Sequence, residues 1–116
     1  MTNNNKSVLS EYLYQRNLGN AIENIKSLAA KVKNFKIGKT GETLDERHGE
    51  PDYNGVYDEI DEVYSSKDPE LVSRMEAYLI EEFKDYPNCD NTRTTDKDEM
   101  AESDEYSVYV VWNKKK

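Results

Sequence analysis

Apolar side chains in the first third of the chain recur at helical spacing. Within residues 7–33 they follow at intervals of four, three, four and three, as Leu18, Ile22, Ile25, Ala29 and Val32. This spacing is typical of one buried face of an α-helix. Upstream, the pattern is extended by Val8, Leu9, Tyr12 and Leu13. We therefore predict an N-terminal helical segment over 7–33, with Gly19 as a point where it kinks or divides into two helices.

A short strand and a short helix follow. Residues 35–39 alternate in the manner of a strand, with apolar side chains on one face. Thr43, followed three residues later by Glu46, has the signature of a capping box at a helix start. Gly49 and Pro51 are typical of the end of that helix.

The next apolar stretch is ambiguous. Val56, Ile60 and Val63 fit helical spacing, whereas the β-branched and aromatic content of the same stretch is typical of a strand. We favour a strand over 57–65 and keep the helix as the alternative.

The clearest helix begins at Asp68, a typical N-cap residue followed by Pro69 in the first helical position. Its predicted buried stripe consists of Leu71, Val72, Met75, Leu79, Ile80 and Phe83. A polar loop follows, and residues 106–112 then form the most apolar strand of the chain, which we expect at the centre of a sheet.

These elements predict a single domain over 1–116. The predicted parts are the helical segment 7–33, a core over 35–112, an acidic loop over 92–105 and a frayed basic tail over 113–116. One domain of this length has room for one modest hydrophobic core.

Charge divides the chain into two unequal parts. Residues 1–40 hold seven basic and two acidic side chains, whereas residues 41–116 hold nine and 22, which gives the formal net charge of −8. Nucleic-acid binders usually present a basic face, because contacts to phosphate supply much of their affinity. Only the N-terminal third offers one, so the acidic remainder counts against tight nonspecific DNA binding.

The cellular location is predicted from the single cysteine and from the lack of membrane-helix and signal-peptide patterns. Cys89 is the single cysteine, so an intrachain disulfide is excluded and a reducing compartment is expected. No apolar run approaches the roughly 18 residues of a membrane helix, and residues 1–6 lack the apolar centre of a signal peptide. We expect a cytoplasmic protein that makes no membrane contact.

Two segments resemble motifs of the GIY-YIG nucleases. Residues 36–40 read K-I-G-K-T, and Arg47 follows nine residues after the glycine. This pair resembles the second motif and the arginine helix of the family, in its phage-associated lysine form. Residues 74–83 resemble the family's helix that carries the metal-binding glutamate, here Glu76. Asn91 is similar in position to a later family asparagine, and Asn88 is the competing match.

The first motif of the family is displaced. The space before residues 35–39, where the family has its first strand, has a helical pattern here. Residues 107–111, S-V-Y-V-V, resemble the missing motif without its glycine. The resemblance therefore implies a circular permutation, in which the last strand pairs beside 35–39. Chain ends at the surface tolerate such a rearrangement.

The resemblance implies an α+β fold and an activity. The expected fold is a small three-stranded, mainly antiparallel sheet flanked by helices, with an N-terminal helical extension. The expected activity is metal-dependent hydrolysis of phosphodiester bonds in DNA by a phage- or mobile-element-associated endonuclease. Tyr109 is implied as the base, Arg47 as the phosphate ligand, and Glu76 as the ligand of one Mg²⁺ or Mn²⁺. Contacts to the nucleic acid are assigned to Lys36, Lys39, His48 and Asn91.

Each residue also has an ordinary interpretation. Arg47 and Glu76 are common as solvated partners of surface ion pairs, and an aromatic residue such as Tyr109 in a central strand is usually part of the core. His48 at a helix end commonly interacts with the last carbonyl groups. The strand lysines have the character of edge-strand charges.

A second functional hypothesis is a non-catalytic acidic protein on the same scaffold. Its acidic runs at 58–62 and 96–105 would bind a basic protein partner and inhibit a nucleic-acid-binding or host-defence protein. Independently of these two hypotheses, the N-terminal helix is a candidate DNA arm, a candidate homodimer interface or a lid over the core.

Overall fold

Three helices alternate with three strands in the part of the chain that the structure describes. The computed structural model describes residues 2–92 and 100–115, with side chains from residue 8 onward. The elements are α1 (Thr2–Ala29), β1 (Val32–Thr40), α2 (Leu44–His48), β2 (Glu59–Ser66), α3 (Pro69–Phe83) and β3 (Tyr106–Lys114). The predicted α+β class is confirmed. Residues 93–99 of the acidic loop, and Lys116 of the basic tail, lie outside the described residues.

The sheet has the order β1-β3-β2, and both pairings are antiparallel. The apolar C-terminal strand therefore lies at the centre, as its composition predicts, and it pairs directly with β1. In this register Gly38 lies opposite Tyr109. The strand that we favoured over 57–65 is confirmed as β2.

The two faces of the sheet are covered by different parts of the chain. On one face, α1 and α3 pack against alternate strand residues, including Phe35 and Val108. On the other face, a smaller cluster joins Tyr109 and Val111 to Tyr53 and Tyr57 from the loop after α2. Because side chains alternate along a strand, successive residues of β3 pack on opposite faces of the sheet.

The outer edge of β1 is covered by the loop that follows α3. The backbone N–H of Phe35 donates to Asn88 O at 2.9 Å, and the N–H of Asp90 donates to Phe35 O at 2.8 Å. The side chain of Asn91 continues this edge by bonding to both backbone groups of Ile37. This cover protects a strand edge that would otherwise be open to pairing with another chain.

Helix starts follow the capping signals in the sequence. Thr43 and Glu46 form the predicted capping box at α2. Asp68 accepts from the N–H of Glu70 at 2.9 Å, and Pro69 opens α3. Each cap satisfies backbone donors that have no partner within the helix.

The boundaries of two predicted segments are corrected. The helical segment ends at Ala29 instead of residue 33, because Val32 is buried in β1 and pairs with Lys114. The helix also continues through Gly19, which faces open space. At the other end, Asn113 and Lys114 belong to β3 and are not part of a frayed tail.

Helix α1 has two apolar faces. Tyr14, Leu18, Ala21 and Ile25 are buried against the core. The upstream residues do not extend this face, because a rotation of about 100° per residue places them on the opposite side. The exposed fractions of these side chains are 44–69%. The residues are Val8, Leu9, Tyr12 and Leu13. A homodimer interface on this helix stays a prediction.

Two contacts fasten α1 to α3. Arg74 donates two hydrogen bonds to the carboxylate of Glu11, both at 2.9 Å, and its guanidinium lies 4.3 Å from the ring centroid of Tyr14. This pairing lowers the pKa of Glu11 to about 2. None of the described helices has the length and apolar character needed to cross a membrane.

Truncation of a side chain should reduce the free energy of unfolding by different amounts on the two faces of α1. Leu18→Ala should lower the free energy of unfolding by about 2–4 kcal/mol, because it leaves a cavity in the core. Leu9→Ala should change it by less than about 0.5 kcal/mol, because that side chain is mostly exposed. Urea unfolding of the two variants measures both values, and equal losses would contradict the orientation of the helix.

Candidate active site at the edge of the first strand

A cavity of about 260 Å³ lies along β1. Its walls come from β1, from the segment of Arg47 to Tyr53, from α3, from the loop after α3 and from β3. The three residues that the resemblance assigns to catalysis all line it, namely Arg47, Glu76 and Tyr109. Residues far apart in the sequence are thus brought to one concave surface, while their chemical roles stay predictions.

Arg47 and Tyr109 are in direct contact. Arg47 Nε donates a hydrogen bond of 3.1 Å to Tyr109 Oη, between residues 62 positions apart. The guanidinium also lies 4.1 Å from the centroid of the Tyr53 ring, a favourable arrangement of a cation over an aromatic face. The capping box of α2 fixes the start of the short helix that carries Arg47.

The remaining donors of Arg47 point at two carboxylates. Nη1 and Nη2 donate to Asp52 at 2.9 and 3.0 Å, and Nη1 also donates to Glu50 at 2.9 Å. The hydrogen bond with Arg47 holds the pKa of Asp52 below its ordinary value, and the same contact raises the pKa of Arg47. A phosphate that binds Arg47 must therefore compete with side chains of this chain.

Gly38 is required by the position of Tyr109. The ring of Tyr109 crosses Gly38 from the neighbouring strand, and a Cβ atom at Gly38 would overlap its Oη and Cζ atoms. The glycine of the K-I-G-K-T stretch therefore lies within a strand and makes room for the tyrosine.

Tyr53 is a site residue that the sequence did not indicate. It is only 3% exposed, and its Oη lies 2.7 Å from Tyr109 Oη. Its ring packs edge-to-face against Tyr57 and Tyr109, with centroids 5.5 and 5.8 Å apart. The only signal was a tyrosine directly after the Pro51-Asp52 turn, which no spacing rule connects with the strand that it meets.

Burial controls the ionisation of the two tyrosines. Loss of hydration raises the pKa of Tyr109 well above its ordinary value, and Arg47 opposes this shift. Burial likewise raises the pKa of Tyr53. Tyr109 is therefore a neutral phenol at neutral pH in the protein alone, and its use as a base requires additional positive charge in the cavity.

Glu76 is buried, which corrects its interpretation as a solvated helix acid. It is 2% exposed, and its Oε1 lies 3.8 Å from Lys39 Nζ. Lys39 also donates to Ser73 Oγ at 3.2 Å, so the ammonium group is held beside α3. The side chains of Glu76 and Tyr109 approach the cavity from opposite faces of the sheet, since α3 packs on the face of Val108.

The described part of the site offers a cation one buried carboxylate, that of Glu76. No cluster of three or more His, Cys, Asp or Glu side chains suited to a metal occurs within 2–92 and 100–115. Glu76 offers a single carboxylate, and Mg²⁺ is commonly bound through one or two carboxylates while it keeps several waters. The ammonium group of Lys39 lies beside Glu76, so it partly neutralises the negative charge that would attract such an ion.

The residues assigned to nucleic-acid contacts have different positions. Lys36 and Lys39 line the cavity, whereas the described lining does not include His48, whose Nε2 lies 2.8 Å from Tyr57 O. Asn91 lines the cavity, but its side-chain amide is bonded to the backbone of Ile37.

The competing asparagine has a separate structural task. Asn88 donates to Ala29 O at 2.9 Å and to Val32 O at 3.2 Å, which secures the connection from α1 to β1. Of the two candidates, Asn91 is therefore the one at the cavity.

Comparison with known proteins gives no relative. No protein-family model, curated protein or solved structure matches this chain at a significant level.

The crossing of Tyr109 over Gly38 predicts a steric test. Gly38→Ala should lower the free energy of unfolding by about 2–3 kcal/mol, because the added methyl group overlaps a buried ring. In a Tyr109→Ala background the same substitution should cost less than about 1 kcal/mol, because the overlap is gone. A double-mutant cycle by denaturant unfolding measures this coupling.

Gly19→Ala is the matched control for this cycle. It adds the same methyl group at an open helical position and should raise stability by about 0.5–1 kcal/mol. Additive costs for Gly38→Ala and Tyr109→Ala would contradict the proposed overlap.

Proposed function

We propose that the cavity along β1 hydrolyses phosphodiester bonds in DNA with the help of one Mg²⁺ or Mn²⁺ ion. The hydrogen bond between Arg47 and Tyr109 carries the proposal, because it joins a phosphate-binding group to a proton-transfer group. Glu76 lines the same cavity and provides a buried carboxylate. The chain is proposed to be a permuted, GIY-YIG-like nuclease in the cytoplasm.

The strand order supports the permuted arrangement. The resemblance requires the C-terminal strand to lie beside residues 35–39, and β3 pairs with β1 over that stretch. It also requires Tyr109 to reach Arg47, and these side chains are in contact. A C-terminal tyrosine far from Arg47 would have removed this support.

The chain's own side chains divide the work of the proposed reaction. Arg47, with Lys36 and Lys39, binds the phosphoryl oxygens through charge-assisted hydrogen bonds. Glu76 would hold the divalent ion, which supplies a Lewis acid for the charge that develops during cleavage. Tyr109, as a phenolate, accepts a proton from water at Oη, and the hydroxide so formed attacks phosphorus as the sugar oxygen leaves.

The acidic alternative has one specific observation in its favour. Arg47 already binds Asp52 and Glu50, so its ion-pairing groups are occupied by the protein's own carboxylates. A non-catalytic protein that binds a basic protein partner through its acidic surface needs no free arginine. The two hypotheses differ in whether removal of Glu76 changes a measurable reaction.

Loss of the Glu76 carboxylate should abolish DNA cleavage. With Mg²⁺ or Mn²⁺ present, the wild-type protein should cut fluorescently labelled DNA in a single-turnover assay, and Glu76→Gln should reduce the rate by at least about 10²-fold. Arg47→Ala should cause a loss of about 10²–10³-fold, because it removes a charge-stabilising donor.

The control for Glu76 is Glu82→Gln, which removes an exposed acid from the same helix and should leave the rate unchanged. Circular dichroism should show that all variants retain their helices. Absence of cleavage and of metal binding by the wild-type protein would refute the nuclease and favour the acidic interaction protein.

Release of Arg47 from Asp52 should strengthen DNA binding. Asp52→Asn removes the competing carboxylate, and a charge-assisted hydrogen bond of about 1.5 kcal/mol corresponds to about tenfold tighter binding. Fluorescence anisotropy at several salt concentrations measures the dissociation constant. Asp104→Asn removes the same charge from an exposed position, and an equal gain there would attribute the effect to net charge alone.

A further inference from the structure

We infer that Tyr53 is a positioning residue, which shares one proton with Tyr109 and directs the Tyr109 oxygen toward the cavity. This inference rests on the proposed function as far as catalysis is concerned. The hydrogen bond itself is a property of the protein without substrate. An experiment without substrate therefore tests the hydrogen bond separately from catalysis.

The distance between the two hydroxyl groups establishes the pair. Tyr53 Oη and Tyr109 Oη are 2.7 Å apart, a typical length for an O–H···O hydrogen bond. Both side chains are almost fully buried, at 3% and 1% exposure. At this distance one of the two hydroxyl groups donates to the other.

Arg47 restricts the direction of that donation. A guanidinium has only donors, so Tyr109 Oη accepts from Arg47 Nε. A neutral Tyr109 can donate its own proton to Tyr53 or accept from it. Once Tyr109 has lost its proton, its oxygen can only accept, and Tyr53 must then be the donor. The phenolate of Tyr109 is thus held by two donors, Arg47 and Tyr53.

The ring of Tyr53 is fixed, so its hydroxyl cannot easily turn away. The Arg47 guanidinium covers one face of the ring, and Tyr57 packs against it edge-to-face. Tyr57 is itself anchored, because its hydroxyl donates to Asp90 Oδ2 at 2.8 Å. The backbone N–H of Tyr53 also donates to Glu50 O at 2.9 Å. These contacts place the donor before any substrate binds.

The charges around the pair come from every element that packs on it. Arg47 of α2 lowers the pKa of both tyrosines. Asp52 in the following loop and Glu76 of α3 raise the pKa of Tyr53, and Lys36 Nζ of β1 lies 5.9 Å from the centroid of the Tyr53 ring.

Two hydroxyl groups in such contact titrate as a coupled pair, in two separate steps whose pKa values belong to the pair. Loss of the first proton is favoured by the hydrogen bond that the remaining hydroxyl donates. Loss of the second proton is opposed, because two negative oxygens would then lie 2.7 Å apart. When additional positive charge in the cavity removes the first proton, the second proton therefore stays between the two oxygens.

The first test needs no activity. In protein labelled with ¹³C at tyrosine Cζ, a correlation between ring carbon and hydroxyl proton should show a slowly exchanging proton at the Tyr53–Tyr109 pair. Tyr53→Phe should remove it and Tyr109→Phe should remove it, since each deletes one partner. Tyr57→Phe, which deletes a neighbouring hydroxyl bonded to Asp90, should retain it. Absence of this resonance in the wild-type protein would overturn the shared proton.

The second test measures the pH profile of cleavage. Tyr53→Phe keeps the ring under Arg47 but loses a donor to the Tyr109 phenolate, so the rising limb should move at least about one unit to higher pH. At pH 7 the single-turnover rate should fall about tenfold, while the dissociation constant for DNA stays within about twofold.

The two tests distinguish failure of the positioning role of Tyr53 from failure of the proposed nuclease function. A Tyr53→Phe rate that is equally reduced at every pH would mean a merely structural role and would overturn the positioning role. A wild-type protein that shows the hydroxyl proton but cleaves no DNA would refute the proposed function and, with it, the catalytic part of this inference. The shared proton would then stand alone.

Discussion

The contact between Tyr109 and Gly38 is the constraint on which the site depends. A bulky ring on the central strand can cross the edge strand only where that strand has no side chain. This crossing carries the Tyr109 hydroxyl to the cavity along β1, where Arg47 and Tyr53 meet it. Without the glycine, the ring would leave this position and the three groups would separate.

The division of the sheet into two layers explains how Glu76 and Tyr109 can line the same cavity. Glu76 belongs to the helical layer, and Tyr109 belongs to the loop layer on the other face. Both reach the cavity because it runs along β1, at the outer margin of the sheet. The loop after α3 covers this margin through Asn91, so the edge is closed by protein while the space beside it stays open.

Charge balance sets the state in which the site rests. Among the described residues of the cavity wall, three cationic side chains, Lys36, Lys39 and Arg47, are matched by three carboxylates, Asp52, Glu76 and Asp90. The strongest contact among them is the paired hydrogen bonding of Arg47 with Asp52. Ligand anions therefore meet a site whose arginine is already engaged.

The sequence by itself determined the order of elements, the α+β class, the central place of the last strand and the helix caps, because these follow from local spacing and capping chemistry. It also identified Arg47, Glu76 and Tyr109 as candidates. Only the tertiary structure decided that these three line one cavity, that Glu76 is buried and that Tyr53 joins Tyr109. The end of α1 at Ala29 and the outward direction of its first apolar residues also depended on packing. The reason is that a local pattern indicates which residues share a face, whereas the register between strands and the path of a loop decide which faces meet.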